Sequence, residues 1–379
     1  MNNKTILQLQ DFAPPYGGSF IASLTALGKA LQCCGCRQVL VFPEAAKHCS
    51  WLKQLYEQDI PIHLISMTSP FQLARTVEKI IERENAQILH SHFTAFDFPA
   101  WMAMQLRKLK GSNCSVIWHM RCPFPVEFSV RRWLRDTIKH RIIGKEVYCV
   151  AISQGSLQTM CERGLGDKRT HVIPNNIDEN RLTRSTMTRE EVRQEFSVAG
   201  DDTVLLLFGM HPIRKGADVV LQGLKDLITR GYKIKLLVVG TQALEEYLYN
   251  LYGLHPPSWL TILPPTEYIA DYFQAADIFV SASRAEGFSN AVAEAMYFGL
   301  PVVSSDIPGL DWAHEAPGVE FFPSEDSAGL ANAIIKVLQW SPEQHKILTT
   351  ANRALVMEKY SMEIWVKRVF ELYKNILAA

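Results

Sequence analysis

The chain contains no run of about eighteen apolar residues, so no membrane-spanning helix is expected. It has no excess of either charge, because 39 Lys and Arg balance 39 Asp and Glu. A neutral chain without a recognisable binding module is a poor partner for nucleic acid. Nothing in the composition suggests disorder. The eight cysteines all fall between Cys33 and Cys161, and the one Cys-x-x-Cys spacing, Cys33 to Cys36, has no second pair to complete a zinc site. Reduced, mostly buried thiols are therefore expected. The opening run, Met1 to Leu9, is too short in apolar residues for a signal peptide and reads as a first strand. A cytoplasmic protein is expected.

What is present is an alternation of apolar strand-like runs and helix-length amphipathic stretches. The runs are Ile6-Leu9, Val39-Phe42, Ile62-Ile65, Ile88-His90, Val116-His119 and Val147-Ile152, then Val204-Phe208, Ile234-Val239, Leu260-Leu263, Ile278-Val280 and Val302-Ser304. This βαβ rhythm predicts parallel sheets covered on both faces, an α/β architecture. With 379 residues the chain has room for two domains. The polar, aperiodic stretch from Pro174 to Met187 reads as the connection between them. Near the end, Trp365, Val369, Leu372 and Ile376 recur at helical spacing and form one apolar stripe.

The neutral total hides an asymmetry: residues 1–180 carry 21 Lys and Arg against 15 Asp and Glu, whereas residues 181–379 carry 18 against 24. The halves are +6 and −6. Basic residues gather in the segment 131–145, where Arg131, Arg132, Arg135, Lys139 and Arg141 alternate with Trp133 and aliphatic residues. Such a segment suits an anionic membrane surface or an anionic acceptor, or else is a domain helix with a solvated basic face.

The richest segment is Arg284-Ala285-Glu286-Gly287-Phe288-Ser289-Asn290-Ala291-Val292-Ala293-Glu294, closed by Gly299-Leu300-Pro301-Val302-Val303. A strand should end before it, and a helix should run from Ala291 to Phe298 with Ser289 or Asn290 as N-cap and Gly299 just past its end. The first amides of such a helix lack intrahelical partners and face the positive end of its dipole, which suits a phosphate. Glu286 in the loop and Glu294 a turn into the helix can flank one extended ligand, although an isolated glutamate pair beside an ordinary αβ unit is often only surface. Carboxylates accept hydrogen bonds from hydroxyl groups, as on a sugar and a ribose.

This segment, read from Tyr272 through Asp277-Ile278-Phe279-Val280, resembles the signature of retaining glycosyltransferase family 4 (glycosyl transferases group 1). The resemblance extends to Pro14-Pro15-Tyr16-Gly17-Gly18, Leu89-His90-Ser91-His92, Val116-Ile117-Trp118-His119, Val172-Ile173-Pro174-Asn175-Asn176 and Phe208-Gly209 with Arg214-Lys215-Gly216. It implies the GT-B fold, two Rossmann-like domains with parallel sheets facing across a cleft that holds a nucleotide sugar. The expected domains are 1–178, an acceptor domain joined by the C-terminal helix 361–379, and 179–360, the donor domain. Two departures stand out. Asn176 replaces the family's usual glycine, and Asn tolerates the left-handed conformation that the turn would need. Met210 stands where many members carry Arg, so Arg214 beside Lys215 would supply the missing cation.

The resemblance implies a transfer of sugar from a nucleotide diphosphate sugar to the hydroxyl of a glycan or lipid-linked acceptor, as in polysaccharide, lipopolysaccharide or glycolipid synthesis. Arg214 and Lys215 would neutralise the diphosphate, Gly17 and Gly18 would let backbone approach it, and Glu286, Gly287, Phe288, Ser289 and Asn290 would form the donor loop. Glu286 would hold sugar hydroxyls, Glu294 the ribose, and His119 the donor sugar. His90 and His92, two residues apart on one face, either both line the cleft or are both rim residues, and the rim is the reading favoured. No metal or other cofactor is expected, and the sequence lacks the Asp-x-Asp triplet of the other major glycosyltransferase fold. An epimerase or sugar phosphorylase of the same architecture, or a catalytically silent sugar-binding protein, are the alternatives.

Overall fold

The computed structural model describes residues 3–121, 130–166 and 169–378. Within the helix Val130–Ile142 the side chains of Arg131, Arg132, Arg135 and Ile138 also lie outside the described set. The chain divides into two compact units, Met1–Asn176 with Met362–Ala379, and Ile177–Ser361.

The first unit is built on strands β1 (Thr5–Gln10), β2 (Arg37–Pro43), β3 (Ile62–Ile65), β4 (Ala86–His92), β5 (Ser115–Met120), β6 (Tyr148–Ala151) and β7 (Thr170–Val172). All pair in parallel, in the order β3-β2-β1-β4-β5-β6-β7. Successive residues alternate faces, as strand geometry requires. Leu7, Leu9, Leu89, Val116 and Trp118 pack with Leu73, Val77 and Ile81 of the helix Pro70–Glu84. Ile6, Ile88, Ile117 and Val150 face the other way and pack on Trp365, Val369, Leu372 and Tyr373 of the C-terminal helix Met362–Ala378. Each large side chain fully buried this way contributes roughly 1.5–3 kcal/mol.

The second unit contains β8 (Thr203–Phe208), β9 (Ile234–Val239), β10 (Leu260–Leu263), β11 (Ile278–Ser281), β12 (Val302–Asp306) and β13 (Val319–Pro323), again wholly parallel, in the order β10-β9-β8-β11-β12-β13. In both sheets the order reverses beside the unit's first strand. The switch point lies between β1 and β4 in one unit and between β8 and β11 in the other, and ligands of open α/β sheets bind beyond the strand ends at such points.

Three expectations need correction. Of the seven described cysteines only Cys36 and Cys149 are buried, while Cys33, the last residue of the helix that precedes β2, and Cys34, just beyond it, are exposed. Asn176 does not take the left-handed conformation. Its side-chain oxygen instead accepts from the Ser23 hydroxyl at 2.9 Å, and its amide nitrogen lies 3.2 Å from Met362 Sδ. His90 and His92 are not rim residues, because they continue the face of β4 that the C-terminal helix covers, and both are fully buried.

Candidate functional site

In the second unit two loops meet at the switch point. The loop after β8 carries Arg214 and Lys215 and enters the helix Ala217–Thr229. The loop after β11 carries Glu286 and enters the helix Asn290–Tyr297, with Ser289 as N-cap and Gly299 beyond its end at φ +77°. They converge on one atom. Glu286 Oε1 receives Lys215 Nζ at 2.5 Å and the Ser283 hydroxyl at 2.8 Å, with Arg214 at 3.5 Å. Glu286 Oε2 has no hydrogen bond with a described residue.

Two glycines make the approach possible. A Cβ at Gly216, where φ is +66°, would lie 2.0 Å from the Ala282 carbonyl oxygen; one at Gly309 would lie 1.9 Å from that of Glu286. Both positions exclude any larger residue without movement of a backbone that carries the site. Arg284 clamps the loops further. Its guanidinium binds both oxygens of Asp218, at 2.9 and 2.7 Å, and reaches Glu325 and the Ile213 carbonyl. This bidentate bond holds the Asp218 carboxyl below the usual carboxylate range. His211, beside the same loop, is lowered by burial and then by the charges of Arg214 and Lys215.

Glu294 lies in the helix interior, nearly buried, and receives the guanidinium of Arg181 on one oxygen. Arg181 comes from the short helix Glu179–Leu182, whose start is capped by the Asp178 side chain. Sequence reasoning missed Arg181. The only available signal was a capping aspartate inside a stretch that reads as linker. Glu294 Oε2 is likewise without a hydrogen bond to a described residue. Phe288 is a packing residue, stacked on Trp312 with ring centroids 4.6 Å apart and near Tyr360. Gly287, Phe288, Ser289 and Asn290 can thus offer a ligand mainly backbone, and Ser289 makes no side-chain cap to compete for the helix amides.

In the first unit Gly17 and Gly18 lead from β1 into the helix Gly18–Cys33. His119, on β5, is fully buried with His90 and His92. His119 Nδ1 lies 3.1 Å from His90 Nε2, His90 Nδ1 lies 2.5 Å from the Tyr373 hydroxyl, and His92 Nε2 lies 2.9 Å from Gln8 Oε1. Arg121 Nε donates to His92 Nδ1 at 3.2 Å. Burial first, then the Arg121 charge for His90 and His119 and the His90 and Arg121 charges for His92, drives all three imidazoles well below the ordinary histidine range. One ring nitrogen from each lies within 4.8 Å of the others, the only group of three or more His, Cys, Asp or Glu with metal-ligand spacing among the described residues. The Arg121 cation and the absence of a carboxylate among these partners make it a poor host for a dication.

The basic segment is less uniform than its sequence. Lys139 is bound to the buried Asp97 at 2.6 Å and lies over Trp118, so it is not a free surface charge. Val130, Trp133, Leu134 and Ile142 are exposed.

Residues 202–339 match the family described as glycosyl transferases group 1. The chain is 30% identical over 205 residues to mannosylfructose-phosphate synthase of Agrobacterium fabrum, a match covering 49% of this chain and 43% of that one. It is 22% identical over 308 residues to N-acetyl-alpha-D-glucosaminyl L-malate synthase of Bacillus anthracis, covering 80% and 79%. Among solved structures, Anabaena HepE in complex with UDP-glucose superposes with a TM-score of 0.80 at 18% identity, over 98% of this chain and 99% of that one. The chain spans about half the length of most of the curated relatives it matches. Its two parallel-sheet units define the GT-B fold. Over residues 202–339 the chain is similar to the group 1 glycosyl transferases.

Proposed function

We propose that the chain transfers a sugar from a nucleotide diphosphate sugar to an acceptor hydroxyl, with retention of anomeric configuration and without a metal ion. The observation that carries this reading is the shared design of Glu286 and Glu294. Each carboxylate has one oxygen bound to cationic groups of its own unit and the other without a hydrogen bond to a described residue. A carboxylate held in this way accepts hydroxyl hydrogen bonds without having to be neutralised by the ligand. Arg214 and Lys215 beside the first helical amides supply the positive charge that a leaving diphosphate requires. In this reading Lys215 exchanges part of its contact with Glu286 for phosphate, and Glu286 turns toward the sugar.

The bound state of Anabaena HepE supports a nucleotide sugar as partner. For the acceptor, a glycan or lipid-linked hydroxyl is proposed, and peripheral contact with an anionic membrane is supported by the exposed Trp133, Leu134 and Ile142 on the basic helix. Among the described residues no helix is long and apolar enough to cross a membrane.

The test is a panel of nucleotide sugars scored first by thermal shift, since a ligand at about 100 times its dissociation constant adds roughly 2.7 kcal/mol. The donor so found is then incubated with candidate acceptors, and the product's anomeric configuration is read by NMR. An inverted product would end the retaining assignment. A changed sugar formed without acceptor would favour the epimerase alternative.

A further inference from the structure

Arg214 and Arg284 hold each other's loops. The Arg284 guanidinium reaches the Ile213 carbonyl, and Arg214 Nη1 donates to the Ala285 carbonyl at 3.2 Å. Between these two contacts the Arg284 backbone N–H donates to the Arg214 carbonyl at 2.8 Å. The segment that carries Arg214 and Lys215 is thus fixed at both ends. Gly216 lies against the Ala282 carbonyl at one end, and Ile213 and Arg214 are bound to Arg284 at the other. Lys215, whose Nζ meets Glu286 at 2.5 Å, stands between the two attachments.

The two arginines have different surroundings. A guanidinium offers five N–H donors in a rigid plane. Arg284 commits four of them inside the protein: Nε to Glu325 at 2.5 Å, Nη1 to the Ile213 carbonyl and to Asp218 Oδ1, and Nη2 to Asp218 Oδ2. With two carboxylates on one cation the group carries −1, so a phosphate there would be repelled and would have to displace a carboxylate. Arg214 and Lys215 share the single carboxylate of Glu286 and carry +1. An anion is drawn to this second group and not to Arg284. The partners of Arg284 are themselves held in place. Asp218 stands in the first turn of the helix Ala217–Thr229, where the helix dipole favours an anion. Glu325 has left-handed backbone at φ +68°, a conformation that a residue other than glycine keeps only when its surroundings impose it.

We infer that Arg284 is a positioning residue for the proposed diphosphate site. Through Ile213 and Arg214 it sets where Lys215 stands relative to Glu286, and it does not touch the ligand. This rests on the proposed role of Lys215. Asp218 and Glu325 act through the guanidinium that they fix.

The test is a double-mutant cycle on the full chain, read by calorimetric titration with inorganic pyrophosphate. Arg284→Met should weaken pyrophosphate binding about tenfold on its own but less than about twofold in Lys215→Ala, because a group that acts through Lys215 loses its effect once the amine is gone. Equal losses in the two backgrounds would place Arg284 at the ligand itself, and wild-type affinity in a folded Arg284→Met would leave it a contact of the fold alone. Either result overturns the inference. Hydrogen exchange without ligand gives a second reading. The amides of 209–216 should exchange faster in Arg284→Met, while those of 221–227 in the following helix keep the wild-type rate. An unchanged loop, or a helix that loosens with it, overturns the inference too. Should Arg284→Met fail to fold, Asp218→Asn, which removes a charge and keeps the shape, replaces it in both measurements, with the same pattern expected and the same outcomes counting against it. A wild-type chain that bound no pyrophosphate would end the diphosphate reading, and the exchange of the loop would still decide whether Arg284 holds it.

Discussion

The guanidinium of Arg181 holds the carboxylate of Glu294, 113 positions along the chain and in the same unit. The glutamate is nearly buried and the arginine mostly so. Removing the cation leaves an anion in a low-dielectric setting. Arg181→Ala should therefore destabilise the protein by about 1–3 kcal/mol and weaken nucleoside diphosphate binding roughly tenfold, with inorganic pyrophosphate binding unchanged. Glu294→Gln should show the same binding pattern. Calorimetric titration with both ligands checks it, and equal loss of the two would mean that this pair does not serve the ribose end.

Lys215→Ala should weaken binding of both nucleoside diphosphate and pyrophosphate by about 10- to 100-fold, as expected for a charge-assisted bond. Arg214 is more exposed than Lys215, so Arg214→Ala should cost less. Glu286→Gln should lower turnover while leaving nucleoside diphosphate affinity within about twofold. Wild-type affinity in both cation variants would remove the diphosphate assignment.

Gly309→Ala should reduce activity without touching any ionisable group. The added methyl would collide with the Glu286 carbonyl and push that loop away from Lys215. Overpacking of this kind costs about 1–3 kcal/mol. A folded variant with wild-type turnover would show that the loop position is not critical.

Stability should fall as the pH drops below about 6.5. Burial lowers His90, His92 and His119 well below the ordinary range and brings His140 to about 4. The unfolded chain therefore binds protons near pH 6.5 that the folded chain refuses. Their contribution is fully present above that pH and is lost on acidification, at up to about 1.4 kcal/mol per pH unit for each group. Asp97, raised by burial, acts in the opposite sense but is one group against four. Urea midpoints measured from pH 8 to 5 should decline; a flat profile would mean that these imidazoles titrate normally.

Transfer should continue in EDTA at about its original rate. Loss of activity that returns with magnesium or manganese would overturn the metal-free reading of Arg214 and Lys215 as the neutralising groups.

Much of the architecture was legible because strands of the two sheets are dense apolar runs. Ile62–Ile65, Ile234–Val239 and Leu260–Leu263 fall where the sequence places them. β7 and β13 escaped notice, being terminal strands in their sheets whose residues include His171, Glu320 and several half-buried positions. The helix after Glu286 was readable from its glycine and its cap residue. Arg181 was not, since nothing local shows that a short linker helix lies against Glu294. The burial of His90 and His92 was hidden for a related reason. Their face is covered by a helix nearly three hundred residues away in the sequence, and period-two alternation shows which residues share a face but not what lies on it.

The return of the C-terminal helix to the first sheet also affects synthesis. The segment Ile177–Ser361 is continuous and emerges with all the strands of its own sheet, but the face formed by Ile6, Ile88, Ile117 and Val150 waits for Trp365, Val369 and Tyr373. During translation, therefore, the unit whose strands are made first is closed only after the second unit has been made, and its oily side remains open to chaperones, or to another nascent copy, until the helix Met362–Ala378 has emerged.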